Sequence, residues 1–140
     1  MEICTVAFLT STHSPFDDRI FYHQAKSLAK TFKVVIISST ENIKTTIGNI
    51  AVVSDNSHAS DKKQKIEFFK QSLTQFNPEL IICSEPLPII AALKYKKATH
   101  KKVKIIYDVT EWYPSKKNLE GLSAFQGFIA IFKLLLVNLY

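Results

Sequence analysis

Five short runs of almost unbroken apolar residues constrain this chain most: Cys4–Leu9, Lys33–Ser38, Ile50–Ser54, Glu79–Cys83 and Lys102–Tyr107. A strand covered on one face alternates apolar and polar residues. A strand buried on both faces, as in a parallel sheet, has no polar face to show and is apolar nearly throughout. Between the runs lie segments with helical periodicity. Phe21, Ala25, Leu28 and Ala29 form one stripe, and Ile66, Phe69, Leu73 and Phe76 form another within Asp61–Phe76. A third helix is expected from about Leu87 to Ala98, and Asn77-Pro78 stops the second. The second and third strands are joined by a polar, helix-free link, Ser39 to Asn49. This alternation predicts an α/β fold with a doubly wound parallel sheet, its strands in the order 3-2-1-4-5.

With 140 residues, 46% hydrophobic, and a mean hydropathy of +0.05, the chain suits one domain with a full core. That domain is expected over 1–118, with a separate apolar helix over 119–140. The two cysteines, Cys4 and Cys83, each fall in a strand-like run and are expected as buried thiols, not as a disulfide or metal ligands. Net charge is +6, much of it between Tyr95 and Lys104. This run reads as a solvated helix end whose lysines complement the helix dipole. It has no interleaved aromatic residues to stack bases, so no nucleic-acid partner is expected. Glu2 follows the initial Met and no basic segment precedes the first apolar run, so a cytoplasmic location is expected. The apolar stretch from Leu119 to Tyr140 sits at the lower limit for a membrane span of roughly 20 residues. It is expected as an interfacial helix or as a helix buried against something else. It stops without a cap, Gly or Pro, which gives the expectation that the natural chain continues.

Chemistry-bearing residues gather at three of the turns that leave strand carboxyl ends, where open α/β sheets bind ligands. The first turn holds His13, Asp17, Asp18 and Arg19. Lys and Arg total 18, and Arg19 is the single Arg among them. Its guanidinium fork grips a carboxylate or phosphate in a way that Lys cannot. The plainer reading is that Asp17 or Asp18 caps the helix and Arg19 pairs with a neighbouring acid. Ser14 to Asp17 could form a variant capping box with Pro15 at the first helical position; alternatively, Asp17 caps a helix beginning at Asp18. His23 falls between the helix faces and is expected as a partly buried packing residue, His58 as a solvated one. The second turn, Ser84–Pro88, contributes Glu85. The third, Asp108–Pro114, gathers Asp108, Thr110, Glu111, the single Trp (Trp112) and Tyr113. Rings that stack on sugar C–H faces, beside acids that bond hydroxyls, suit a carbohydrate. The alternative is a capped turn with Trp112 packed as core.

Several chemistries are argued against. The chain has three glycines, Gly48, Gly121 and Gly127, and none in the first turn. Close approach to a phosphate needs glycine there, which argues against both a dinucleotide site and a P-loop. No Cys/His spacing suits zinc, and no Gly-x-Ser-x-Gly elbow occurs. Asp55 ends the third strand, but the other acids of a phospho-receiver are missing after the first strand.

Ser14 to Leu28, followed by Lys33-Val34-Val35-Ile36-Ile37, resembles the start of the N-terminal domain of family 4 glycosyltransferases of the GT-B fold. There, a loop ending in Asp-x-Arg-Ile or Asp-Arg-Ile leads into a helix with Ala-x-Ser-Leu. Ile106 to Pro114 resembles that family's Tyr-Asp-x-His-Glu-x-Tyr-Pro segment, and the spacing between the two segments also fits. The resemblance spans essentially the whole chain. It implies a Rossmann-like, acceptor-binding N-terminal half. In the family, a sugar moves from a nucleotide sugar to an acceptor with retention, and no metal or resident cofactor is required. The nucleotide sugar is a co-substrate held mainly by a C-terminal donor domain, expected in the same chain or a partner chain. The resemblance carries over Asp108 and Glu111 as catalytic positions and Tyr113 as a substrate contact. Asp18 and Arg19 match the first motif and are expected to order the loop beside the cleft. Thr110 stands where the family has a His that contacts the donor sugar; either the geometry is adjusted, with Glu111 or His13 contributing, or activity is altered. Counting His13, Glu85 and Trp112, the substrate-binding set is His13, Asp18, Arg19, Glu85, Thr110, Trp112 and Tyr113.

The implied function is transfer to a glycan or lipid-linked acceptor in cell-surface polysaccharide biosynthesis, with this half inactive alone. Peripheral contact with the inner face of the cell membrane, through 119–140 and the basic surface, is one expectation, and packing of that surface against the donor domain is the other. One alternative is a non-catalytic acceptor-binding or membrane-recruiting subunit of a split glycosyltransferase. A third reading is a small regulatory module that binds an anion through Arg19 and Lys.

Overall fold

In the computed structural model, the described residues are 4–57, 60–109 and 123. The chain divides into two units, Met1–Asp108 and Val109–Tyr140, and nearly all described residues belong to the first. His58, Thr110, Glu111, Trp112, Tyr113 and the expected helix over 119–140 lie outside the described residues.

The five apolar runs form strands β1 (Thr5–Thr10), β2 (Lys33–Ser38), β4 (Ile50–Ser54), β5 (Leu80–Cys83) and β6 (Lys104–Tyr107). A further strand, β3 (Ile43–Ile47), precedes β4. The sheet order is β3-β4-β2-β1-β5-β6, parallel throughout except for β3, which runs antiparallel to β4. The five foreseen strands thus take their expected order. The correction is β3, which lies in what reads as an irregular polar link. Its residues Lys44 to Ile47 are exposed, because an edge strand needs no apolar face. The hairpin turns on Gly48-Asn49, with Gly48 at φ 58. A Cβ on Gly48 would meet nothing within 4 Å, so the backbone angle and not space favours glycine there.

Helix α1 is π-helical over Asp18–Ala25 and continues as one α-helical turn over Lys26–Leu28. Asp17 caps it by accepting from the backbone N–H of Arg19 and Ile20, at 3.0 and 3.1 Å. The capping alternatives are thereby resolved, and Pro15 lies outside the helix. Helix α2 (Lys62–Phe76) is capped by Asp61 and closed by Asn77 in the left-handed region at φ 50. Helix α3 (Pro86–Thr99) carries Lys96 and Lys97 in its last turn. The side chains of Val6, Phe8, Val34, Ile36, Ile50 and Val52 pack with Ile20, Phe21 and Ala25 of α1 in one cluster. Their strand neighbours Ala7, Leu9, Val35 and Ile37 are equally buried, so the sheet is covered on both faces. Helices α2 and α3 pack against each other, on the face that right-handed crossovers assign opposite α1.

Cys83 is buried as expected. Cys4 is a correction: it precedes β1 and is only partly buried. Burial first, and the Glu85 carboxylate second, push the Cys83 thiol far above its ordinary value of 9.0. The folded thiol keeps its proton where the unfolded one loses it. The stability this group contributes is therefore complete below about pH 9 and declines above it, by at most about 1.4 kcal/mol per pH unit. Urea unfolding from about pH 8 to about pH 10 should show this decline, and Cys83→Ala should flatten it. An unchanged slope in the variant would contradict the assignment.

Candidate functional site

Four strands deliver their carboxyl ends to the edge where the candidate residues gather. The turn between β1 and α1 is held from two sides. From β5, Glu85 accepts through Oε1 from the hydroxyls of Thr10 (2.8 Å) and Thr12 (2.7 Å). Its Oε2 accepts from the Ser11 backbone N–H at 2.9 Å, with the Ser11 hydroxyl at 3.5 Å. From β2, the hydroxyls of Ser38 and Thr40 donate to the His13 carbonyl, at 3.1 and 3.2 Å, and the Ser39 hydroxyl donates to that of Ser11 at 3.4 Å. A turn without glycine is thus fixed by side-chain hydrogen bonds, which satisfy its buried backbone groups.

His13 stands in this turn between two carboxylates. Its Nδ1 lies 3.7 Å from Asp17 and its Nε2 lies 3.5 Å from Glu85. With 38% of its side chain exposed, it faces the carboxyl edge and solvent together.

Asp108 follows β6, and its backbone N–H donates to the Cys83 carbonyl at 2.9 Å. Its Oδ2 accepts from Gln24 Nε2 at 2.9 Å and pairs with Arg19 at 3.3 Å. Both partners come from α1, five residues apart. In an α-helix of 3.6 residues per turn, such residues point about 140° away from each other. The π-helix, with its i→i+5 hydrogen bonds, brings them to one side. The same winding sets Asp18 beside His23 (3.4 Å) and Lys26 over the Phe21 ring (5.5 Å to its centroid). Arg19 and Asp108 are both partly exposed, so their ion pair contributes only about 1 kcal/mol or less to stability. The pair's main effect is to orient the carboxylate. Gln24 Oε1 is buried and has no hydrogen-bond partner among the described residues. Tyr107, one residue earlier, has its phenol pushed up by burial first, then by Glu85 and Cys83.

Of the residues singled out in the sequence, His13, Arg19, Glu85 and Asp108 come together at this edge. Asp18 does not join them: its side chain is 86% exposed and pairs with His23. His23 is a correction too, being 71% exposed and not packed: two residues from both Phe21 and Ala25, it stands about 160° from each on a 3.6-residue turn, on the side away from the buried stripe. Thr110, Glu111, Trp112 and Tyr113 lie outside the described residues. The sequence reading passes over Gln24 and the hydroxyl groups of Thr10, Ser11, Thr12, Ser38, Ser39 and Thr40. The polar run Thr10-Ser11-Thr12 against Ser38-Ser39-Thr40, at two adjacent strand ends, is the signal that could have found the hydroxyls. Among the described residues, no cluster of three or more His, Cys, Asp or Glu is placed to hold a metal ion.

The arrangement defines an open, Rossmann-like α/β sheet with a hydroxyl-lined turn and an oriented carboxylate at its carboxyl edge. Among solved structures, the chain is similar to the sucrose-phosphate synthase of Thermosynechococcus elongatus, a GT-B glycosyltransferase, with a TM-score of 0.61 and 10% identity. The match covers 96% of this chain and 39% of that one, so the chain spans well under half the length of that structure. At this identity the likeness shows the fold: a six-stranded, mostly parallel α/β sheet of the kind found in GT-B glycosyltransferases. No protein-family profile and no curated protein matches the chain.

Proposed function

We propose that the chain is the N-terminal, acceptor-binding half of a retaining glycosyltransferase. It acts with a donor-binding half on a nucleotide sugar and a glycan or lipid-linked acceptor. The observation that carries this reading is the Asp108 carboxylate, held by Arg19 and Gln24 at the carboxyl edge beside the fixed turn at His13. An oriented carboxylate accepts a hydrogen bond from a sugar hydroxyl and so holds that hydroxyl in position to react. The fold likeness to a sucrose-phosphate synthase supports the reaction class. Cell-surface polysaccharide as the product, the cytoplasmic membrane face as the place of action, and family 4 membership rest on the sequence resemblance.

Nucleotide-sugar binding tests the division of labour. The 140-residue chain is expected to show no calorimetric binding to UDP-, GDP- or dTDP-sugars, while the protein containing both halves binds one of them. Tight binding to the 140-residue chain alone would overturn it.

A further inference from the structure

We propose that Glu85 is an internal anion that closes the β1–α1 turn to phosphate, so that this part of the edge admits hydroxyl ligands and rejects phosphorylated ones. The donors at the carboxyl end of β1 are of the kind that anion sites in α/β folds use: one backbone N–H, of Ser11, and the hydroxyls of Thr10, Ser11 and Thr12. His13 Nε2 completes the shell at 3.5 Å. All of them turn to one carboxylate of this same chain. Glu85 is 8% exposed, and a carboxylate so buried persists only where donors replace its water.

The place of Glu85 in the fold leaves its side chain available for this role. It is the N-cap residue of α3, yet its side chain makes no capping hydrogen bond to that helix. Pro86 opens the helix and supplies no N–H, which lowers the demand for a cap. The carboxylate is therefore free to cross to β1. Its charge reaches its surroundings, since it contributes to the upward shifts of Cys83 and Tyr107. On the far side of His13, Asp17 adds a second carboxylate, itself occupied in capping α1. An incoming phosphate would find the donors taken and two negative charges in place. A neutral hydroxyl pays no such electrostatic penalty, and His13 remains partly exposed to meet it. The inference stands on the geometry of Glu85 and does not require the transfer activity proposed above.

Phosphate titration of the 15N-labelled 140-residue chain, followed by NMR, tests it. In the wild type, inorganic phosphate is expected to leave the amide resonances of Ser11, Thr12 and His13 unmoved. Glu85→Ala vacates the shell and should bind phosphate there about tenfold more tightly or better. Glu85→Gln keeps the shape without the charge and should fall between the two, and it carries the comparison if Glu85→Ala does not fold. Wild-type shifts at Ser11 as strong as those of the variants would overturn the proposal. So would a folded Glu85→Ala, or a folded Glu85→Gln in its place, that shows no phosphate-dependent shift.

Discussion

Asp108→Ala is expected to lower sugar transfer by about a hundredfold or more while leaving the fold intact, the effect of losing a group that positions the reacting hydroxyl. The carboxylate it removes is 26% exposed, and its partner Arg19 is 37% exposed, so water can solvate the freed guanidinium. The cost in stability is accordingly about 1 kcal/mol or less. Gln24→Leu should act in the same direction more weakly, because Arg19 still holds Asp108 when the amide is gone. The measurement is kcat at saturating donor, alongside the thermal midpoint of each variant. A kcat within about twofold of wild type for a folded Asp108→Ala would remove Asp108 from the chemistry.

Phe8→Ala is expected to cost about 3–5 kcal/mol, enough to unfold much of the population of a domain whose total stability is about 5–15 kcal/mol. Phe8 is 1% exposed in the middle of β1, paired in register with Ile36 of β2 and Ile82 of β5. It packs with Ile20 and Phe21, the residues that seat α1 on the sheet. Its loss therefore opens a cavity under the helix that carries Arg19 and Gln24. Urea denaturation should show a midpoint far below wild type, whereas Tyr22→Ala, at a side chain that is half exposed, should move it little. Equal midpoints for the two variants would contradict the assignment of the core.

The sheet was legible because a strand buried on both faces has nowhere to hide polar residues. Cys4–Leu9 and Lys33–Ser38 announce such strands, and their alternation with helices dictates the topology. Strand β3 was not legible, because Ile43-Lys44-Thr45-Thr46-Ile47 pairs on one side only and buries little, leaving composition without the usual signature. Gly48-Asn49, a two-residue hairpin turn, was its one local mark. At the site, Arg19 and Asp108 stood out by residue type alone. Gln24 did not, since a face drawn at 3.6 residues per turn separates it from Arg19, and only the fold shows the π-winding that reunites them. Glu85 was legible as a candidate but not in its orientation. Only the fold shows that its carboxylate points back across the sheet edge to Thr10, Ser11 and Thr12.

The most direct measurement is sugar transfer itself. The protein containing both halves would be purified from its source and incubated with radiolabelled nucleotide sugars and a glycan and lipid extract of the same cells. The account predicts that one nucleotide sugar labels an acceptor, and that the labelling is lost in Asp108→Ala. Folded wild-type protein that transfers none of the sugars, or an Asp108→Ala protein that transfers as well as wild type, would contradict it.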